Sequence, residues 1–345
     1  MQIAGRDPAS LPESGHRGMA LPGVVLPGIR LPGAARRALA LAAAVLALAA
    51  CEPMFQMPET ATAAPPARPA AAAAVAGPSP RSEAVSRFFT NQENSLRARG
   101  LMRTDPGDDI PLTAARLAEN FEGIALFDEY VEVAGRLVAR PTPSALRRWQ
   151  TPVRMGVRFG EAVPAEQRSA DMARIRPFAS RLARLTGHPI SVTDTATANF
   201  HVLIVTEDER RALAPMLEEI VPGIDELSLR TITDMPLSAS CLVLAFAGGG
   251  TSVYTRAVAV IRAELPDLTR LSCIHEELAQ GLGLPNDTNA RPSIFNDAQE
   301  FALLTPHDEL LLRILYDRRL RPGMTAVQAR PIVEQIAFEL LGGES

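Results

Sequence analysis

The sequence predicts an α+β fold, in which a mixed, twisted β-sheet has helices packed on one side. Residues 153–159 alternate apolar and polar side chains with a period of two, which indicates a half-buried strand. Residues 242–246 are wholly apolar, and an alternating stretch follows at 253–262. Residues 168–187 instead carry apolar side chains at helical spacing. Elements that alternate in this way are expected to build one sheet with helices packed against it.

The other elements follow from apolar spacing and from the stops that glycine and proline impose. Gly100 ends the first apolar-periodic stretch, and Pro177 should kink its helix or start it. The triple glycine at 248–250 is interpreted as a hairpin turn, and Trp149 as a core anchor. Residues 122–138 fit either a helix or a strand. The expected helices cover 82–99, 112–121, 168–187 and 207–219, and the expected strands cover 153–159, 189–194, 199–206, 242–246 and 253–262.

The strand at 253–262 comes last before the helix that carries the motif described below. We expect it to lie at the edge of the sheet, where an extended peptide can bind by adding a strand. Charge argues against a different partner: 35 basic and 39 acidic residues give a net charge of −4, without the basic surface that nucleic-acid binding needs. All the basic residues are arginine, which we interpret as a compositional bias. The expected partner is therefore a peptide or an envelope protein, and no nucleic acid.

The N-terminal segment has the pattern of a targeting signal. Arg36 and Arg37 precede a run of Ala, Leu and Val at 38–50, which is shorter than the about 20 residues that a membrane-spanning helix needs. The run ends at Cys51 and resembles the lipobox of bacterial lipoproteins. The resemblance implies a signal peptide at 1–50 and a lipid on Cys51, which would anchor the chain in the bacterial cell envelope, facing the periplasm. An ordinary signal peptide is the alternative.

Residues 51–81 are rich in Ala and Pro, which is typical of a semi-extended linker between an anchor and a folded domain. A single domain is expected over 82–345. In an exported chain, Cys241 and Cys273 are the cysteines left inside the fold, and an oxidising compartment favours a disulfide between them. Closing that loop would stabilise the fold by roughly 3–4 kcal/mol. Two separate buried thiols are the alternative.

The stretch that begins at Cys273 carries the motif with the most chemical content. Zincin active sites place two histidines at i and i+4 on one helix, with a glutamate between them as general base. A register that starts at His275 fails, because Ala279 occupies the i+4 position. A register through Glu277 resembles the metzincin pattern of His-Glu, His, Gly and a third ligand. In that register the residues read Glu276-Glu277-x-x-Gln280-x-x-Gly283-x-x-Asn286.

Three further segments extend the resemblance to matrixin-like metzincins. They are Leu282-Gly283-Leu284, Ser293-Ile294-Phe295 with Phe at the position of the Met-turn methionine, and Leu304-Thr305-x-x-Asp308. The resemblance implies a zincin-like sheet, an active-site-type helix and a small C-terminal helical subdomain. It also implies structural roles in the turns for Gly283, Ser293, Phe295 and Asp308. Over roughly residues 110–330 the chain is similar to a bacterial family called domain of unknown function 2927, whose signatures appear as Cys-x-x-Glu-Glu-x-x-Gln-x-Leu-Gly-Leu-Pro-Asn-Asp and Pro-Ser-Ile-Phe-Asn-Asp.

The usual zinc histidines are absent from the matching positions. Glu276, Gln280 and Asp287 are the candidate metal ligands, and this oxygen set suits calcium or magnesium better than zinc. Glu277 matches the general base, and two adjacent buried carboxyl groups should raise the pKa of at least one of them. His307 could supply a ligand from the next helix, although a polar residue at a helix start is the simpler interpretation.

Three functions fit these observations. The first is a binding module for a peptide or an envelope component, built on a zincin-like domain that has lost its zinc chemistry. The second is an active metal-dependent peptidase that uses Glu277 with non-standard ligands. The third is a structural envelope protein in which the polar residues only stabilise the fold.

Overall fold

The computed structural model describes residues 77–133 and 136–342, with the side chains of residues 130–139 excepted. The signal peptide expected at 1–50, the lipidation site expected at Cys51 and most of the linker at 51–81 lie outside the described residues. Within the described ranges, no helix is long and apolar enough to cross a membrane.

The described chain forms an α+β fold, as the sequence predicts. The helices are α1 Pro80–Ala98, α2 Ala114–Ala125, α3 Ala165–Thr186, α4 Glu207–Arg211, α5 Ala214–Ile220, α6 Glu226–Thr233, α7 Asp267–Gln280, α8 Pro306–Leu315 and α9 Ala326–Leu340. The strands are β1 Phe127–Val133, β2 Arg136–Pro143, β3 Arg148–Trp149, β4 Val153–Phe159, β5 Ile190–Val192, β6 Phe200–Val205, β7 Cys241–Ala247 and β8 Val253–Arg262.

Local chemistry explains where several of these elements begin and end. The ambiguous stretch at 122–138 contains the end of α2 and most of an antiparallel β1–β2 hairpin. The helix expected at 207–219 is two helices, because the first ends at Ala212 and Pro215 starts a new one. Thr206 opens α4 with a capping box. Pro177 lies inside α3, and Gly187 ends that helix in the left-handed conformation.

The main sheet is mixed and mostly parallel. Its strands follow the order β3-β8-β6-β4-β5, and β7 pairs antiparallel with β8. The expectation that 253–262 forms an edge strand is wrong, because β8 lies between β6 and β7. The chain leaves β6, passes through α4 to α6 and returns two positions away as β7. The hairpin then places β8 beside β6, so β7 is the outer strand.

Helices cover both faces of this sheet, and not one face as the sequence suggested. Phe200 and Val202 of β6 belong to the larger apolar core, which also contains side chains of α3, α7 and α8. Leu203 of the same strand packs into a second core with side chains of α5 and α6. Trp149 is buried, as predicted, and its Nε1 donates a hydrogen bond of 2.8 Å to the carbonyl of Gly281.

His201 is a buried titratable group in the centre of the sheet. Its side chain is 3 % exposed, and neither ring nitrogen has a hydrogen-bond partner among the described residues. Burial, aided by the charges of Arg256 and Arg158, lowers the pKa of His201 to about 4. Because the unfolded chain titrates near about 6.5, the folded state should lose stability as the pH falls from about 6.5 to about 4.

We expect His201→Leu to leave stability at pH 7.5 unchanged or increased, since no hydrogen bond is lost. The free energy of unfolding that is lost between pH 7.5 and pH 4.5 should shrink by about 2–3 kcal/mol, measured by urea denaturation at both pH values. His188→Gln is the comparison: burial also lowers the pKa of this half-buried histidine, but less than that of His201, so the variant should reduce the loss by a smaller amount. An equal loss of stability in His201→Leu and the wild type would contradict the prediction.

Candidate functional site

The site is organised by α7, which is fixed at its start and along its length. Arg270 near the start is buried and donates from Nε to both carboxylate oxygens of Asp171 in α3, at 3.0 Å. Cys273, in the middle of the helix, forms a disulfide with Cys241 of β7, with the two Cα atoms 5.9 Å apart. The sequence-based pairing of these cysteines is therefore present in the structure. Together these contacts hold α7 against the edge of the sheet.

A tight turn after α7 returns the chain to the helix. Gly283 has a φ of 132°, and a Cβ atom there would lie 2.2 Å from the carbonyl oxygen of Arg147. Beyond the turn, Asn286 donates to the carbonyl of Gly123 in α2 at 2.7 Å. Asp287 then accepts a 2.8 Å hydrogen bond from Nε2 of Gln280. The turn thus places the Asp287 carboxyl group beside the end of α7.

A second turn, around residues 293–296, is held by one buried carboxylate. Asp308 of α8 accepts from Ser293 Oγ at 2.6 Å and from the backbone N–H of Ile294 at 3.0 Å. It also accepts from the backbone N–H and the hydroxyl of Thr305, both at 2.9 Å, and so caps its own helix. Phe295 is fully buried in the core. The structure thus brings Ser293 and Asp308 into direct contact.

Two adjacent carboxyl groups of α7 lie together beside the disulfide. Carboxylate oxygens of Glu276 and Glu277 and the Sγ of Cys241 all lie within 4.8 Å of one another. Since Cys241 is in a disulfide, it offers no thiolate. Glu277 is 4 % exposed, and its Oε2 has no hydrogen-bond partner among the described residues. This residue is the sequence-predicted general base.

Several acids lie close together in this cluster, where Glu277 is buried and Glu276 and Asp287 are half-buried. Burial raises the pKa of both Glu276 and Glu277 well above the usual value, and the charges of Asp287 and Glu129 raise both further. Burial and the charges of Glu129 and Asp297 raise the pKa of Asp287 to about 7, against the opposing hydrogen bond from Gln280. The sequence predicted the effect for the glutamate pair but missed Glu129, because β1 lies in the ambiguous stretch.

A cavity of about 130 Å³ opens onto the cluster. Glu276 and Asp287 both line it, so two of the three predicted metal ligands face one space, whereas Gln280 contacts Asp287 from outside the lining. Helix α1 forms one wall through Gln92, Glu93 and Leu96. The Glu93 carboxylate accepts from the backbone N–H and the hydroxyl of Thr269 and so caps the start of α7. The sequence gave no sign that α1 borders this site.

The donors at the cluster do not fit zinc. His275 is turned away: its ring stacks on Phe178 at 4.1 Å, and Nδ1 accepts from the backbone N–H of Leu304. His307 is buried, with Nε2 3.0 Å from the amide of Asn120. The described donors that remain at the cluster are carboxylate and amide oxygens, whereas zinc sites are built mainly from imidazole and thiolate. An oxygen-only set suits hard cations.

The fold and site define an α+β protein with a carboxylate cluster at one end of its sheet. The family model described as protein of unknown function (DUF2927) matches residues 114–335, and the chain belongs to this family. The match runs from the start of α2 into α9, so it contains Glu129, Glu276, Glu277 and Asp287, but not α1. No curated protein and no solved structure is significantly similar to the chain.

Proposed function

We propose that this protein is a lipid-anchored component of the bacterial cell envelope whose zincin-like domain binds an extended peptide segment along β7. The lipobox-like sequence that ends at Cys51 supports the anchor and the periplasmic orientation. The observation that carries the binding function is the position of β7, an outer strand that starts where the acidic cavity opens.

The edge of β7 offers the hydrogen-bonding groups that strand addition needs. Among the described strands, β7 pairs with β8 alone, so the backbone groups on its other edge are not in a ladder. A peptide in extended conformation can pair with such an edge through its own backbone. Leu242, Leu244 and Phe246 are only partly buried and belong to one face of the strand.

The start of β7 connects this edge to the carboxylate cluster. Ser240 precedes the strand and lines the cavity together with Glu276. Cys241, the first residue of the strand, has its Sγ within 4.8 Å of the Glu276 and Glu277 carboxylates. A peptide paired with β7 would therefore end beside the acidic cavity. This arrangement favours a peptide-binding function over a purely structural one.

Hydrogen exchange tests the proposed binding edge. The purified full-length chain is screened against an immobilised library of random decapeptides, and the strongest binder is added before deuterium labelling. We expect slower exchange of the backbone amides within 242–247 that face the free edge, because strand addition pairs them with the peptide. Protection that falls instead on α2 and α9, or an absence of any binder in the library, would count against the proposal.

A hydrolase is the second candidate, and the state of Glu277 favours it. A buried carboxyl group with a raised pKa and an unpaired oxygen is a candidate general acid or base. If the protein cleaves the peptides that it binds, Glu277→Gln should lower the cleavage rate by about 100-fold or more and leave protection of β7 unchanged. Mass spectrometry of the peptides measures cleavage.

Glu334→Gln is the matched control for this experiment, because Glu334 is exposed on α9 and lines a different groove. If Glu277→Gln cleaves peptides at the wild-type rate, Glu277 is not a catalytic residue. Peptide binding without any cleavage by the wild type would refute the hydrolase and support the binding module.

A further inference from the structure

We propose that Glu276, Glu277 and Asp287 bind a hard divalent cation of the calcium class. This cation would be a further ligand of the site proposed above. The cation site depends on the proposed function only in that both place a ligand at the same cavity. The carboxylates come from two segments, the end of α7 and the loop after it, which the Gly283 turn brings together.

The carboxylates of Glu276 and Glu277 are close enough to bind one ion together. Two oxygens bound to one calcium ion, each about 2.4 Å from it, are at most about 4.8 Å apart. The nearest ligand atoms of Glu276 and Glu277 satisfy this limit. Among the described residues Asp287 is outside this close group, so it would bind the same ion through a water. It lines the same cavity as Glu276, and Gln280 holds its carboxylate through the 2.8 Å hydrogen bond. Gln280 is therefore a residue that positions a ligand.

Glu277 gives an independent second observation. Its side chain is 4 % exposed, yet Oε2 has no hydrogen-bond partner among the described residues. A buried polar atom left in this way costs about 1–3 kcal/mol, and more when the group is charged. The same carboxylate contacts the space between Glu276 and the disulfide. A bound cation would supply the partner that this oxygen lacks.

The negative charges around Glu276 and Glu277 also favour a bound cation. The charges that act most strongly on Glu276 and Glu277 all come from other acids, among them Asp287 and Glu129. Asp171, a fully buried acid in α3, is paired with Arg270, whereas Oε2 of Glu277 has no such partner among the described residues. Burying several carboxylates together is costly unless an opposite charge balances them. A divalent cation would balance two of these negative charges, and it is small enough to fit the cavity of about 130 Å³.

The donor chemistry selects the class of ion. Calcium takes six to eight oxygen ligands and accepts flexible geometry, whereas magnesium keeps more of its water. Ser240, Asn296 and Gln299 also line the cavity and carry neutral oxygens, and the volume of about 130 Å³ leaves room for several waters. We therefore expect calcium to bind more tightly than magnesium.

Calorimetric titration of the purified, chelator-treated full-length chain with CaCl2 and MgCl2 tests the site, without any peptide. We expect one equivalent of calcium to bind and to raise the melting temperature. Glu276→Gln should weaken calcium binding by about 100-fold or more, since even outer-shell partners of metal sites cost about 10- to 100-fold. Gln280→Ala should weaken it within that smaller range. Glu334→Gln should bind as the wild type does.

The melting temperature in metal-free buffer separates this site from a purely structural acid pair. Glu276→Gln should melt at a higher temperature than the wild type there, because one of the mutually repelling carboxylates is removed from the cluster, and calcium should reverse the order. The inference is overturned if millimolar calcium neither binds nor shifts melting, if Glu276→Gln binds calcium as the wild type does, or if magnesium binds more tightly than calcium. Slower exchange along β7 with a peptide but no calcium binding refutes only the cation site, and the reverse result refutes only the peptide function.

Discussion

Asp308→Ala should destabilise the fold by about 4 kcal/mol or more, because several buried donors lose a charged acceptor at once. The carboxylate is fully buried and accepts from Ser293, Ile294 and Thr305, which belong to a turn and a helix start. Without it, the N–H groups of Ile294 and Thr305 have no acceptor in a dry environment. Urea denaturation followed by circular dichroism measures the free energy of unfolding.

Glu309→Ala is the matched control, one residue further along the same helix. Glu309 is partly exposed and makes an ion pair with Arg181, so its removal should cost about 1 kcal/mol or less. If the Asp308 and Glu309 variants lose similar amounts of stability, the central role of Asp308 in the turn at 293–296 is wrong. Should Asp308→Ala fail to fold, Asp308→Asn retains one acceptor oxygen and should show an intermediate loss.

Gly283→Ala should cost about 3 kcal/mol or more, because strain in the backbone and a collision add together. The φ of 132° is unfavourable for any residue with a side chain, and the new Cβ would lie 2.2 Å from the carbonyl oxygen of Arg147. Backbone must move to relieve this contact. The movement should also disturb the hydrogen bond between Gln280 and Asp287.

Gly187→Ala separates the two causes. Gly187 ends α3 with a φ of 63°, and a Cβ atom there would meet nothing within 4 Å. Its replacement should lower the free energy of unfolding by about 1–2 kcal/mol, because only the left-handed conformation is unfavourable for alanine there. Thermal unfolding of both variants under one condition gives the comparison. A loss in Gly283→Ala that does not exceed the loss in Gly187→Ala would show that the contact with Arg147 is relieved without cost.

Local patterns were sufficient for much of this fold. The alternation in 153–159 predicted β4 with its observed ends, and apolar spacing predicted α1 and α3 to within about three residues, within the usual uncertainty of helix boundaries. The pairing of Cys241 with Cys273 followed from chemistry and compartment, not from spacing. These features depend on neighbours in sequence or on a small number of possible partners.

Strand order and the far walls of the site depend on contacts between distant segments. A hairpin pattern shows that β7 and β8 are adjacent, but it does not show which of them meets β6. Glu129 approaches the cluster from a hairpin whose sequence fits two structures equally well. The site residues on α7 were found because their spacing is local. Glu93 and Ser240, which line the same cavity, belong to no motif.

Helix α1 lies before the family-matched residues 114–335, yet its Glu93 caps α7 and its side chains form one wall of the acidic cavity. A fragment cut to the family boundaries would therefore expose the cluster to solvent from that side and leave the start of α7 without its cap. Ligand measurements on such a fragment would describe an altered site. The acidic cavity is therefore complete only when α1 is present.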